Sequence, residues 1–141
     1  QREKDSTCHP YGGWERDPGF KTNFPRSQRY ETQIGRAPGL DYVVRNPGDS
    51  PVRFDGCAVW DPRHPLLEAK GPGYANIIKF AGRSPASSGF AIKTQSQAKR
   101  QANAARGRLT EWHVAEPEAA PYFAGVLGPY PSMHVVQTPA R

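Results

Sequence analysis

Two short apolar stretches that carry acidic residues in their interiors constrain this chain most. Residues 52–60 and 65–70 are both rich in apolar side chains, and the prolines at Pro62 and Pro65 mark a turn between them. We predict two strands joined as a hairpin. Asp55 lies inside the first stretch and Glu68 inside the second, and acids embedded in apolar strands usually have partners or functions because of their desolvation cost. If the strands pair, Asp55 comes beside Glu68.

The spacing of Glu68 and Lys70 adds a cation to this pair of acids. Residues two apart on a strand point to the same face, so two carboxylates and an ammonium converge on one patch. Mg²⁺ prefers oxygen ligands, which predicts a site made by Asp55, Glu68 and the backbone carbonyl of Ala69. Lys70 would then hold a water, help to deprotonate it, or offset charge on the phosphorus. The structural alternative is a partly buried salt-bridge cluster.

The order of predicted elements favours a mixed α/β fold in one domain. Consecutive early strands indicate hairpins, and a long helix then crosses over to strands that join the same sheet. We therefore expect a single mixed sheet with helices on both faces, preceded at residues 1–25 by a linker or an extended arm. The predicted helices cover residues 26–34, 74–80, 91–106 and a short stretch from 116, and the strands cover residues 41–45, 52–60, 65–70, 109–115 and 133–138, with a turn at 46–49 and a loop at 82–89.

The charge distribution suits a polyanionic partner. The formal net charge is +6, and basic side chains can replace the counterions condensed on nucleic-acid phosphates. A basic run without acids spans residues 93–108. The candidate phosphate contacts are Lys79, Lys99, Arg100, Arg106 and Arg108. The alternative is a solvated basic face.

The two cysteines, Cys8 and Cys57, are too few for a disulfide framework, so we expect free thiols in a reducing site of action.

No apolar run approaches the length of a membrane span, so we expect no membrane insertion by this segment. The chain opens on Gln1, which suggests a piece of a longer polypeptide.

Several phrases together resemble a known group of nucleases. Asp55 followed by Glu68-Ala69-Lys70 is similar to the PD-(D/E)xK signature, although Phe54 replaces its proline. The surrounding phrases resemble the restriction-endonuclease-fold toxin domains of bacterial polymorphic toxins, class five, found in type VI secretion effectors. The phrases that carry the likeness are Gln33-Ile34-Gly35, Phe54-Asp55-Gly56, Leu67-Glu68-Ala69-Lys70-Gly71-Pro72-Gly73-Tyr74 and Glu111-Trp112-His113-Val114-Ala115-Glu116.

The resemblance covers residues 26–139 and implies a restriction-endonuclease-like mixed sheet, Mg²⁺ or Mn²⁺, and a cognate immunity protein, expected to be acidic. It also implies a secretion apparatus or chaperone that engages a missing N-terminal region, secretion or injection by a producing bacterium, and action in the cytoplasm of a target cell. Families of this fold place a further acid on the first helix, where Glu31 matches best. They also place a glutamine on the long helix, where Gln97 and Gln101 are the candidates and Gln95 is a rival.

The functional expectation is a metal-dependent DNA endonuclease that acts as a toxin. The same metal chemistry serves an RNA-cleaving toxin of the same fold, and the residues do not separate the two substrates. A basic nucleic-acid-binding module without catalysis is the alternative from another class.

Overall fold

The chain folds as a mixed α/β protein. A computed structural model describes residues 2–20, 24–81 and 89–141. The loop predicted at 82–89 lies outside these residues except for Gly89. Within them the chain forms two four-stranded sheets and four helices. The strands are β1 (Glu3–Lys4), β2 (Gly12–Arg16), β3 (Leu40–Val44), β4 (Val52–Phe54), β5 (Gly56–Cys57), β6 (Leu66–Lys70), β7 (Thr110–Val114) and β8 (Met133–Gln137). The helices are α1 (Pro25–Gly35), α2 (Tyr74–Ala81), α3 (Gly89–Ala105) and α4 (Ala120–Leu127).

The first sheet is antiparallel, with strand order β1-β2-β3-β4. The segment predicted to be a linker or an extended arm supplies β1 and β2, and Trp14 of β2 pairs with Tyr42 of β3. The predicted turn at residues 46–49 joins β3 to β4. There the Asp49 N–H donates to the Asn46 carbonyl at 3.1 Å, and Gly48 adopts a φ of 81°, a conformation that glycine adopts without steric cost.

The second sheet is mixed, with strand order β5-β6-β7-β8. Strands β5 and β6 form the predicted antiparallel hairpin, whereas β6, β7 and β8 are parallel. Parallel neighbours need crossover connections, and the connection from β6 to β7 includes α3 while the one from β7 to β8 includes α4. The helix predicted from residue 116 begins later, because residues 117–119 form a turn before Ala120.

The prediction of one strand over residues 52–60 is wrong, and with it the prediction of a single sheet. The stretch divides into β4 and β5, which belong to different sheets, and Asp55 lies at the division. After Cys57 the chain turns: the Asp61 N–H donates to the Ala58 carbonyl at 3.1 Å. Residues 58–60 therefore belong to the hairpin turn, where Ala58 is buried and Val59 and Trp60 are exposed.

The prediction of free thiols is also wrong, because Cys8 and Cys57 form a disulfide. Both cysteines are buried in a core cluster with Tyr42, Phe54 and Leu66. The pairing of β2 with β3 holds the N-terminal segment against this core, which brings the two Cα atoms to 5.8 Å. The bridge therefore fixes the N-terminal segment to the chain two residues after Asp55.

No described helix combines the length and the apolar character that a bilayer crossing needs.

Candidate active site

Strand β6 places its acid and its base on one face and its small apolar residues on the other. Glu68 and Lys70 face α3, where they contact glutamine side chains. Leu67 and Ala69 belong to the cluster formed with Tyr30 and Ile34 of α1. Helices α1 and α3 therefore cover opposite faces of β6, as the alternation of side chains along a strand requires.

Both carboxylate oxygens of Glu68 accept hydrogen bonds from the long helix. Oε2 accepts from Gln97 Nε2 at 2.9 Å, and Oε1 accepts from Gln101 Nε2 at 3.0 Å. Gln101 is buried, and its Oε1 accepts from Trp112 Nε1 at 2.8 Å. The spacing of the two glutamines, four residues apart on α3, allows both to reach one carboxylate.

Lys70 is almost completely buried, with 6% of its surface exposed. Its Nζ donates to Gln97 Oε1 at 2.7 Å and lies 3.3 Å from Glu68 Oε2. The ammonium also lies 4.8 Å from the ring centroid of Trp112 and 5.5 Å from that of Tyr74. Burial by itself lowers the pKa of Lys70, but the neighbouring charges, led by Glu68, outweigh it and raise the pKa above its ordinary value. The side chain is therefore a fixed cation at neutral pH.

Asp55 lies at the break between β4 and β5, at the edge of β6. Its Oδ2 accepts from the Ala69 N–H at 2.7 Å. Leu66 N and Lys70 O both bond toward β7, so the intervening odd-numbered residues turn their backbone groups to the opposite edge. The Ala69 carbonyl therefore lies on the same edge as Asp55. Burial and the charge of Glu68 raise the pKa of Asp55 well above its ordinary value.

A small cavity joins Asp55 to two further acids. Glu31 of α1 and Asp41 of β3 line it together with Asp55. Burial, with the charges of neighbouring acids, raises the pKa of Glu31 to about 7 and that of Asp41 to about 6. Asp41 pairs with Arg53 at 3.0 Å. Three carboxyl groups thus lie close enough to disfavour each other's ionised forms.

Two glycines bring α1 against the chain at Asp55. A Cβ atom on Gly35 would lie 2.5 Å from the Asp55 carbonyl oxygen, and one on Gly56 would lie 2.9 Å from the Gly35 Cα. Either side chain would force the backbone segments apart. The segments Gln33-Ile34-Gly35 and Phe54-Asp55-Gly56 are therefore in contact. Glu31, one helical turn earlier on α1, lines the same small cavity as Asp55.

An open cavity of about 400 Å³ gives access to Lys70. Gln97, Tyr74 and Phe90 line it with the cations Lys93 and Arg100. Arg100, a predicted phosphate contact, thus shares a cavity with Lys70 and Gln97, and Lys93 belongs to the same basic run. The other predicted contacts are exposed elsewhere: Lys79 on α2, Lys99 on α3, and Arg106 and Arg108 beyond the end of α3. Arg106 also lies 3.6 Å from Asp49.

Two carboxylates and one carbonyl make a donor set of the type that Mg²⁺ prefers. Asp55 has no cationic side chain as an ion-pair partner in the described part of the chain, and a divalent cation would relieve the repulsion between Asp55 and Glu68. The described residues contain no group of three or more His, Cys, Asp or Glu side chains that could hold a metal ion. A cation at this site would therefore bind few protein ligands and keep several waters, as Mg²⁺ commonly does.

The structure brings together six predicted site residues and separates others from them. Asp55, Glu68, Lys70, Gln97 and Gln101 form a connected set through the Ala69 N–H, and Glu31 reaches Asp55 through the shared cavity. Gln95 is exposed on α3.

Sequence reasoning missed Asp41 and Trp112 as neighbours of this set. The sequence signal for Asp41 was the one used for Asp55, an acid followed by apolar residues in a predicted strand.

Comparisons of the chain with protein-family models, with curated proteins and with solved structures find no match.

Proposed function

We propose that this protein is a metal-dependent endonuclease that hydrolyses phosphodiester bonds in DNA, on a restriction-endonuclease-like arrangement of strands. The observation that supports this most is the contact chain Asp55–Ala69–Glu68–Lys70–Gln97, in which two carboxylates and a buried ammonium share one edge and one face of β6. Metal-assisted hydrolysis of a phosphodiester uses oxygen ligands for the metal together with a cation that contacts the phosphoryl group.

Asp55, Glu68 and the Ala69 carbonyl would hold Mg²⁺ or Mn²⁺. When bound, the ion supplies Lewis acidity toward the phosphoryl oxygen and lowers the pKa of a coordinated water. Glu68 must share its oxygens, because an incoming cation competes with Gln97, Gln101 and Lys70 for them. The glutamines orient the carboxylate in the absence of the ion, which reduces the rearrangement that binding requires.

Lys70 contributes a positive charge to this arrangement. Its raised pKa keeps the ammonium protonated at neutral pH. Three donors on one nitrogen allow it to keep Gln97 while it donates to a phosphoryl oxygen or to the attacking water. Lys93 and Arg100 line the same cavity and are placed to bind flanking phosphates. Tyr74 and Phe90 form an apolar wall that limits solvent around the reacting groups.

A purely structural ion-pair cluster accounts less well for Asp55. Glu68 and Lys70 alone make a satisfied buried pair. Asp55 accepts a hydrogen bond from the Ala69 N–H and has no cationic partner among the described residues. Burial and the neighbouring acids raise its pKa. A charge cluster maintained only for stability gains nothing from this second carboxylate, whereas a metal site uses it.

The biological setting of the proposal comes from the resemblance. A toxin domain of this kind is injected into a target cell, where it degrades DNA, and the producing cell protects itself with an immunity protein. An acidic immunity protein suits the net charge of +6. RNA is the second candidate substrate, since the residues at the site serve either polymer.

The test is cleavage of supercoiled plasmid by the purified chain, with Mg²⁺ and with excess chelator, beside Glu68→Ala and Lys70→Ala. We expect metal-dependent nicking that both substitutions abolish. Because removing one member of a buried ion pair costs about 3–5 kcal/mol, circular dichroism must show that each variant is folded at the assay temperature. Structured RNA is assayed in parallel. Intact plasmid and intact RNA with folded wild type would refute the nuclease and leave the binding module.

A further inference from the structure

A wide groove on the outer side of α1 is lined by four arginines and by no acid. Its volume is about 860 Å³, and Arg26, Arg29, Arg36 and Arg141 contribute the charge. The remaining lining residues are neutral. All four arginines are exposed. Concave surfaces that carry one sign of charge concentrate counter-ions of the opposite sign.

These arginines differ from most others in the described part of the chain. Arg2 and Arg45 pair with Glu15, Arg53 pairs with Asp41, and Arg63 pairs with Asp61 and Glu111. None of the four groove arginines has an ion-pair partner among the described residues. Arg36 instead stacks on Trp60, with its Cζ 3.9 Å from the ring centroid. The guanidinium donors of the groove are therefore available to a ligand.

The groove has fixed walls. Arg26, Arg29, Gln33 and Arg36 follow one another at spacings of three or four residues along the outer face of α1 and its end. The C-terminal segment forms the other wall. It is held by Gln33, whose Nε2 donates to the Pro139 carbonyl at 2.9 Å and whose Oε1 accepts from the Arg141 N–H at 3.0 Å. The arginines are thus presented on a preformed surface.

We propose that this groove binds the sugar–phosphate backbone of nucleic acid, at a site separate from the cavity at Lys70. The arginine fork matches phosphate oxygens bidentately, and repeated unpaired cations match a polymer with repeated phosphates. Thr32 lines both this groove and the small cavity that Glu31, Asp41 and Asp55 share. A nucleic-acid strand bound in the groove would therefore lie across α1 from the candidate active site.

Nucleic acid as the ligand rests on the proposed function, but the test does not require catalysis. Binding of a short fluorescein-labelled DNA duplex is followed by anisotropy, with excess chelator, from about 50 to about 200 mM salt. The variant is Arg29→Ala/Arg141→Ala. The matched control is Lys4→Ala/Arg16→Ala, which removes the same charge from exposed positions on β1 and β2.

We expect the groove variant to bind at least about tenfold more weakly and to lower the log–log salt slope by about 1.8, which corresponds to two phosphate contacts. The control keeps the wild-type slope. An unchanged slope in the groove variant, or equal losses in the control, would overturn the proposal. So would displacement of the duplex by polyglutamate or by inorganic phosphate at equal charge concentration, which would indicate an acidic protein or a free anion as the ligand.

The two proposals fail separately. Cleavage without dependence on the groove arginines would refute only the groove, and arginine-dependent binding by a chain that cleaves nothing would refute only the nuclease.

Discussion

Gln97 connects the base and the acid of β6, because its Oε1 accepts from Lys70 Nζ at 2.7 Å while its Nε2 donates to Glu68 Oε2 at 2.9 Å. One amide thus fixes both side chains on the face that α3 covers. A carboxylate at position 97 would bring a third charge to the pair, and an apolar residue would leave two buried charges with fewer partners. Glutamine is suited to this position because it donates and accepts at once.

Replacing Gln97 should impair cleavage without unfolding the protein. In Gln97→Ala both Glu68 and Lys70 lose an orienting partner, and we expect activity to fall by about 10- to 100-fold, as when groups supporting a metal ligand are removed. Gln95→Ala is the matched control, since Gln95 is exposed on the same helix. Initial nicking rates of the two variants decide the matter. Equal rates would contradict the role of Gln97.

The contact between α1 and the chain at Asp55 should not tolerate a side chain. Gly35→Ala places a Cβ 2.5 Å from the Asp55 carbonyl oxygen, and we expect a loss of about 1–3 kcal/mol in unfolding free energy together with reduced cleavage. Gly125→Ala is the control, because no atom lies within 4 Å of its Cβ position on α4. That substitution should stabilise the protein by about 0.5–1 kcal/mol. Urea denaturation measures both, and a neutral Gly35→Ala would refute the close approach.

The disulfide between Cys8 and Cys57 should contribute measurably to stability. It closes a sequence separation of 49 residues, and we expect Cys8→Ala/Cys57→Ala to unfold with about 2–4 kcal/mol less free energy than the oxidised wild type. Guanidinium denaturation with and without reductant makes the comparison. Reductant should destabilise the wild type and leave the double variant unchanged. Two titratable thiols in denatured, non-reduced wild type would show that the bridge is absent.

The raised pKa of Glu31 predicts a pH-dependent stability difference. The pKa rises from 4.5 to about 7 on folding, so between these values the folded state holds a proton that the unfolded state has released. The unfolding free energy therefore falls as pH rises through this window. Glu31→Gln removes this dependence, so its stability relative to wild type should increase from pH 4.5 to pH 7.

Loss of the Glu31 charge also relieves Asp55, whose pKa is raised by burial and in part by that charge, and this change has the same sign. Burial lowers the pKa of His9, which gives an opposite slope near its ordinary value, but His9 is common to both proteins and cancels in the difference. Glu118→Gln, at an exposed position, serves as the control and should show no such trend. A flat difference between wild type and Glu31→Gln would show that Glu31 does not hold its proton in the folded state.

Most of the local elements, and the proximity of Asp55, Glu68 and Lys70, could be predicted from the sequence. The alternation around Glu68 and Lys70 and the turn at Asp61-Pro62 predicted the hairpin that β5 and β6 form. The four-residue spacing of Gln97 and Gln101 predicted a shared helix face, and the structure shows that both side chains reach Glu68. The break at Asp55 was not predictable from hydrophobicity, because Val52, Phe54, Ala58 and Val59 continue an apolar pattern through it. At the division Gly56 lies against Gly35 of α1, a tertiary contact that hydrophobicity does not report.

The N-terminal segment eluded prediction for a related reason. Residues 12–16 become a strand only through pairing with β3, and that pairing also brings Cys8 to Cys57. Local composition carries no information about such a partner. The arginine groove was missed because Arg141 is brought beside α1 by tertiary contacts, among them those of Gln33.

The role of Asp55 in a catalytic metal site is tested by the rate of Mg²⁺-dependent plasmid nicking by Asp55→Asn, compared with Asp61→Asn. Both variants make the same chemical change, but Asp61 lies in an exposed turn with Arg63, whereas Asp55 lies at the edge of β6 without a cation. The account predicts that wild type and Asp61→Asn nick plasmid and that Asp55→Asn does not. Undiminished nicking by folded Asp55→Asn, or none by wild type, would contradict it.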